Sequence, residues 1–352
     1  MAQTITIGPV TRIEGHLDLE VTVDLVGGRQ QVVDAKCSGT MFRGFENILV
    51  GRDPLDAVHL TQRICGVCPI SHGMASSLAL DGALASPGFA LPDNGRLVRN
   101  LVLGSNFIQS HLLHFYHLAM PDYVKTEGLL DLSPWSVQSS SPDMATGSAA
   151  AALADHYVQA LAMRRKAHQM GAIFGGKPHE VGPLARLWAA GDYRKGISVL
   201  DRHAARALEA RKIAEAMAAW VDQFAFGKPF YTYLPLAASK SGVGMTEAAR
   251  GALGHWLAID KDKKIARYQI VTPTAWNASP ADDRGQKGPM EQALVGTPVR
   301  DAKNPVEALR VVHSFDPCLA CSVHVARPGV AGGRDRRGAM PFEPAAGAAG
   351  HA

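Results

Sequence analysis

No run of about 18 uninterrupted apolar residues occurs in this 352-residue chain, so the sequence offers no membrane span. The most apolar helical candidate, Leu97 to Met120, is broken by Asn100, Asn106, Gln109, His111, His114 and His117. The first residues lack a charged segment followed by an apolar one, so the chain is expected to carry no signal peptide of its own. Excess charge is scarce as well. A net charge of +4, scattered along the chain, gives no basic face and argues against nucleic acid as a partner. There is no internal repeat. Cysteine is limited to five residues, Cys37, Cys65, Cys68, Cys318 and Cys321. An odd number with two close pairs does not form a disulfide framework; in a chain this long it points to metal binding or redox chemistry. What is abundant is ordinary core material, with 47% hydrophobic and 19% charged residues, enough for two or three domains.

Residues 3–9 and 16–36 alternate apolar and polar, and Gly27-Gly28 supplies a turn, which predicts a small antiparallel sheet. Asp53-Pro54 marks a helix start, with the helix ending near Cys65-Gly66. Long apolar-periodic helices are predicted from Asp93 or Asn94 to near Pro121, from Ser148 to Phe174, and from Arg194 to Phe226. Asn304-Pro305 starts another helix, with Glu307 placed for a capping box. The fold class is therefore α+β and mainly α: a central bundle of long helices with a small N-terminal antiparallel β-sheet. Residues 1–324 form one unit, β-rich over 1–52, helical over 53–240 and site-bearing over 241–324. Residues 325–352, rich in Gly, Ala, Pro and Arg, are expected to be disordered.

Two motifs carry the chemistry: Arg63-x-Cys65-Gly66-x-Cys68-x-x-x-His72 and Asp316-Pro317-Cys318-x-x-Cys321-x-x-His324. Two C-x-x-C pairs supply four thiolates, which suit zinc, iron, copper(I) or nickel. On spacing alone a structural zinc site is the simpler reading, and one disulfide at each pair is a further alternative. Against zinc stand the roughly 250 residues between the pairs and a core too large to need a metal staple. His111, His114 and His117 recur every three residues and are expected to be packed and hydrogen-bonded, and Cys37 to be a small buried apolar residue.

These motifs resemble the two signatures of the nickel–iron hydrogenase large (catalytic) subunit. Further blocks match in order: Thr11-Arg12-Ile13-Glu14-Gly15-His16, Met41 to Glu46, Ala249 to Trp256, and Pro273 to Pro280. The resemblance covers residues 4–177 and 181–324. It implies a hydrogenase large-subunit fold and reversible conversion of H2 to protons and electrons. Cys65 and Cys318 would be terminal on nickel, with Cys68 and Cys321 bridging nickel to an iron that carries carbon monoxide and two cyanides. Arg250 and the Pro273-Thr274 segment would form the pocket for those ligands, with Asp122 and Asp316 holding Arg250 in place and His72 behind the metal ligands. Glu46 and His324 would bind magnesium. The proton would be taken by the Cys318 thiolate and passed to Glu14; Arg250 is a poorer base because a guanidinium resists deprotonation.

The same resemblance implies partners. Once four cysteines are committed to metal, only Cys37 remains, too few for an iron–sulfur cluster, so electrons must leave through an iron–sulfur small subunit. Co-export with that subunit implies a periplasmic or cell-envelope location; a cytoplasmic one is the alternative. Nickel-insertion proteins and a maturation endopeptidase cutting between His324 and Val325 are also implied. The sequence departs from the pattern in two places. Lys177 runs almost directly into Val181, where relatives have a long segment, and Ala249 replaces the usual proline, which implies a looser Arg250. An H2-sensing regulatory subunit, or a deleted copy that only binds metal, are the other functional readings.

Overall fold

The computed structural model describes residues 2–85, 89–124, 144–171, 182–281 and 285–322. The interruption at residues 177–181, His324 and the expected cleavage site after it lie outside these.

The first sheet is a meander of β1 (Gln3–Ile7), β2 (Leu17–Val26) and β3 (Arg29–Gly39), antiparallel throughout. The β2–β3 turn needs positive φ at both of its residues, and Gly27 (59°) and Gly28 (81°) provide it. In β2, Leu17, Leu19, Val21 and Val23 are buried while the residues between them are partly exposed, as period-two alternation requires. Two short helices follow, α1 (Phe45–Leu49) and α2 (Asp56–Thr61); Asp53 caps the approach to α2 by accepting from Leu55 N. Next comes α3 (Pro69–Leu84), an apolar helix buried on most of its faces.

The long helices are α4 (Asp93–Leu112) and α5 (Gly147–Gly171), then the shorter α6 (Pro183–Ala190), then α7 (Val199–Asp222). α4 packs against both α5 and α7, and α6 against α7. The predicted single helix to Pro121 changes pitch: after Leu112 the chain widens into a π-helical segment over Leu113–Ala119, then tightens over Met120–Asp122. α7 has the capping box, with Ser198 and Asp201 bonding each other's backbone N–H.

A second three-stranded antiparallel sheet, which periodicity did not announce, is formed by β4 (Lys240–Ala248), β5 (Gly251–Ile259) and β6 (Ile265–Val271). β5 is buried on both faces, so the polar alternation that marks a half-buried strand is missing from its sequence. The chain ends in α8 (Pro273–Asn277), α9 (Pro289–Leu294), α10 (Val306–Ser314) and the single turn α11 (Leu319–Ser322). Pro305, not Asn304, occupies the cap of α10. Proline has no N–H to donate to a carboxylate, so the expected capping box with Glu307 does not form.

Two large apolar cores result, beside a smaller one of Leu184, Leu187, Tyr193 and Ala205 between α6 and α7. In one, α3 lies on the second sheet; in the other, the first sheet packs on α9 and α10. The turn α11 sits on the seam between them, with Cys318 and Cys321 in the first core and Leu319 in the second. No helix among the described residues is long and apolar enough to cross a membrane.

Candidate metal centre

The first C-x-x-C pair lies between a tight turn over Gln62–Ile64 and α3. Cys65 is extended, Cys68 is the residue capping α3, and Pro69 starts the helix. The amides of Val67 (3.2 Å) and Cys68 (3.1 Å) both point at the Cys65 sulfur. The second pair follows Asp316, whose φ of 55° turns the chain out of α10. It is clamped by the N-terminal loop: Glu14 N donates to Pro317 O (3.3 Å) and Leu319 N to Glu14 O (2.6 Å). Gly15 is required there, because a Cβ would stand 2.3 Å from Ala320 N.

These elements bring all four sulfurs within 4.8 Å of one another, fully buried and unbonded as disulfides. Cys65 faces Cys318 at 3.5 Å, Cys68 faces Cys321 at 3.6 Å, and Cys318 lies 2.7 Å from Cys321. Burial pushes the Cys318 and Cys321 thiols up. Cys68 is pulled well below the ordinary range by hydrogen bonds from Cys318, Cys321 and Cys65. Thiolates this close together repel one another, and a bound cation would favour them.

Arg250 sits at the tip of the two-residue hairpin between β4 and β5, 2% exposed. Its Nε donates to Asp316 O (2.9 Å) and its Nη2 to Asp316 Oδ1 (2.8 Å). Its Nη1 is buried with no partner among the described residues. Burial opposes its charge, but Asp316 and then Cys318, Cys68 and Cys65 outweigh that and hold its pKa above the ordinary guanidinium value. The hairpin tip is braced despite Ala249, because Arg186 donates to the carbonyls of Ala248 (3.2 Å) and Ala249 (3.1 Å). Thr274 Oγ1, one residue after Pro273 at the start of α8, accepts from Cys318 N at 2.9 Å. Glu14 Oε1 accepts from Gly66 N at 3.3 Å, so this half-buried residue touches the first motif with its carboxylate and the second with its backbone.

Asp122 departs from expectation. It does not touch Arg250; its carboxylate pairs with Arg12 and with His313 Nδ1 (2.5 Å). His313, on α10 three residues before Asp316, also reaches Thr11 O (2.9 Å). His72 Nε2 lies 3.4 Å from the Cys321 sulfur, and its Nδ1 3.1 Å from His255 Nε2. His255 Nδ1 lies 2.9 Å from the Tyr268 hydroxyl. No role for His255, Tyr268 or His313 follows from the motifs, because their partners come from other elements. His111 bonds Glu209 (2.8 Å) and His114 donates to His313 O (2.6 Å), so both are packed, bonded histidines; Cys37 is buried in the first-sheet core.

The donor set fits a nickel–iron pair: four converging soft sulfurs, and above them an orphaned guanidinium N–H. Glu46 fits one half of a magnesium site. Its Oε1 accepts from Ile270 N (2.9 Å) and Gln269 (3.0 Å), while Oε2 is buried without a partner among the described residues.

The model of the nickel-dependent hydrogenase family matches residues 43–150 and 187–324, and a HoxL-like model matches residues 4–37. The chain is 33% identical to the periplasmic [NiFeSe] hydrogenase large subunit of Desulfomicrobium baculatum, across 91% of this chain and 95% of that one. It is 24% identical to the hydrogenase-2 large chain of Escherichia coli, across 92% and 98%. The solved Ni-Fe-Se hydrogenase of D. vulgaris Hildenborough superposes with a TM-score of 0.82 at 31% identity, covering 92% of this chain and all of that one. Those two relatives' names include selenium, whereas this chain has cysteine at all four converging positions. Site geometry and similarity along most of its length agree: the chain belongs to the nickel-dependent hydrogenase family.

Proposed function

We propose that this chain is the catalytic large subunit of a nickel–iron hydrogenase, catalysing H2 ⇌ 2H+ + 2e− and passing electrons to an iron–sulfur small subunit. The observation that carries this reading is the convergence of four buried sulfurs from both ends of the chain beneath the unpaired Nη1 of Arg250. A nickel–iron pair held there, with carbon monoxide and two cyanides on iron, supplies the Lewis-acidic, redox-active site for heterolysis.

The protein's part is to hold, shield and move protons. Cys65 and Cys318 would hold nickel, and Cys68 and Cys321 would be shared between nickel and iron. Arg250 Nη1 would donate to a cyanide nitrogen in a dry pocket, where a charge-assisted bond is strong, and Thr274 with Pro273 would complete that wall. The Cys318 sulfur takes the first proton. Arg250 does not compete for it, because its neighbours hold the guanidinium charged. Glu14, whose backbone is bonded to Pro317 and Leu319 on either side of Cys318 and whose carboxylate lies against Gly66, passes the proton outward. Glu46 and His324 hold magnesium. Residues 1–324 act as one catalytic unit whose long helices form its bundle. The extension after His324 is removed by a maturation endopeptidase once nickel has been inserted. The periplasmic D. baculatum relative supports a periplasmic location, reached with the small subunit.

The test uses the anaerobically purified complex. The native protein drives H2-dependent dye reduction. Glu14→Gln retains nickel and iron but loses turnover on the order of 100-fold or more, as expected for a lost proton-transfer group. Normal turnover by Glu14→Gln removes the relay from the account. Metal content without any H2 chemistry would favour a deleted, metal-binding copy.

A further inference from the structure

The hydrogen bond between His72 and Cys321 is the end of a longer chain. His72 is in the first turn of α3; His255 and Tyr268 are on the adjacent strands β5 and β6, one diagonal step apart. The links Cys321–His72–His255–Tyr268 measure 3.4, 3.1 and 2.9 Å, and all four residues are buried.

A neutral imidazole has one N–H and one bare nitrogen, so the ring protons in such a chain are not independent. A metal-bound thiolate has no proton to give. His72 Nε2 must therefore carry hydrogen toward Cys321, leaving Nδ1 bare. His255 Nε2 must then carry hydrogen toward that Nδ1, leaving its own Nδ1 bare to accept from a hydroxyl. Tyr268 supplies it, and burial pushes its phenol up, so it keeps its proton. One O–H thus fixes two tautomers, and every bond points at sulfur. Aligned bonds polarise one another, and outer partners of this kind set the electron density of a metal ligand.

We propose that Tyr268 and His255 are positioning residues for the metal centre: they fix His72 as a hydrogen-bond donor to Cys321 and so reduce the electron density that this sulfur gives the metals. The inference rests on the nickel–iron reading of the site. Without the hydroxyl, His255 is free to carry its proton on Nδ1. His72 then follows, and its bare Nε2 faces the thiolate.

The experiment compares wild type with Tyr268→Phe, each as full chain with its small subunit and with nickel and iron measured. Ring-nitrogen NMR of 15N-histidine-labelled protein reads the tautomers, and infrared spectroscopy reads the iron carbonyl and cyanide bands. Wild type should show both histidines protonated on Nε2. Tyr268→Phe, with unchanged metal content, should show Nδ1-protonated signal and a carbonyl band at lower wavenumber. Unmoved bands and tautomers in that variant overturn the inference, as does Nδ1-protonated His72 in wild type. If Tyr268→Phe fails to load metal, a second pair decides. His255→Gln, whose amide donates to His72 unaided, should keep the wild-type band, and His255→Leu should shift it; identical bands in the two overturn the inference. Wild type with no carbonyl or cyanide bands overturns the nickel–iron reading, and this inference with it.

Discussion

Arg250 has three roles set by three nitrogens: two bind Asp316 and the third has no protein partner among the described residues. A lysine has one ammonium and cannot fork in this way. Arg250→Lys should therefore keep the hairpin but lower H2 turnover on the order of 100-fold, the size of effect seen when one preorganised donor is lost. Comparable turnover at equal nickel content would show that the third nitrogen has no catalytic work. At this scale much was legible. The four cysteines declare themselves because each pair's spacing is local and the ligand chemistry of sulfur is narrow. Asp122 was placed on the wrong arginine because its choice between Arg12, His313 and Arg250 depends on how α10 packs, which no local pattern encodes.

One tie between elements is ionic. Arg186 of α6 bonds Glu209 of α7 through Nε and Nη2 (both 2.5 Å) and also pairs with Glu247 of β4; His111 of α4 completes the cluster on Glu209. Burial raises the Glu209 pKa, but Arg186 and the His111 bond outweigh it and bring it down to about 2. A depressed carboxylate stabilises the fold fully above its ordinary value of 4.5 and loses that contribution as pH falls toward 2. Glu209→Gln should cost about 3 kcal/mol near neutral pH, since it strips a partner from a buried guanidinium, and less near pH 3. Urea midpoints of the two proteins at both pH values check this; a gap that stays constant would contradict it. The α3–β4 contact is steric instead. A Cβ on Gly244 would meet Ala75 O at 1.9 Å, so Gly244→Ala should cost at least about 2 kcal/mol and, by moving the helix capped by Cys68, lower nickel loading measured by elemental analysis. Amphipathic β2 and the start of α4 were readable because each has one wet face. α3 and β5, buried nearly all round, lack that contrast and were missed.

For the whole molecule, position in sequence hides proximity. The N-terminal loop at Glu14, the first motif and the last turn of described chain meet on one seam, and only the matching motifs hinted at that. The match to the D. baculatum subunit spans 497 aligned positions against 352 residues here, so the relative has a large segment with no counterpart, and the family model leaves residues 151–186 unmatched. The four converging cysteines lie outside that gap. Cys37 lies in the other core, too far from company to build a cluster, so the large chain alone should reduce dyes with H2 far more slowly than its complex with the small subunit. Equal rates would show that electrons leave by another route.

One nickel–iron pair in the four-sulfur site would show in nickel-edge X-ray absorption of the purified complex. Nickel should be surrounded by sulfur scatterers with an iron neighbour, and that signal should be lost in Cys321→Ser; zinc in a four-sulfur shell with no nickel would overturn the assignment.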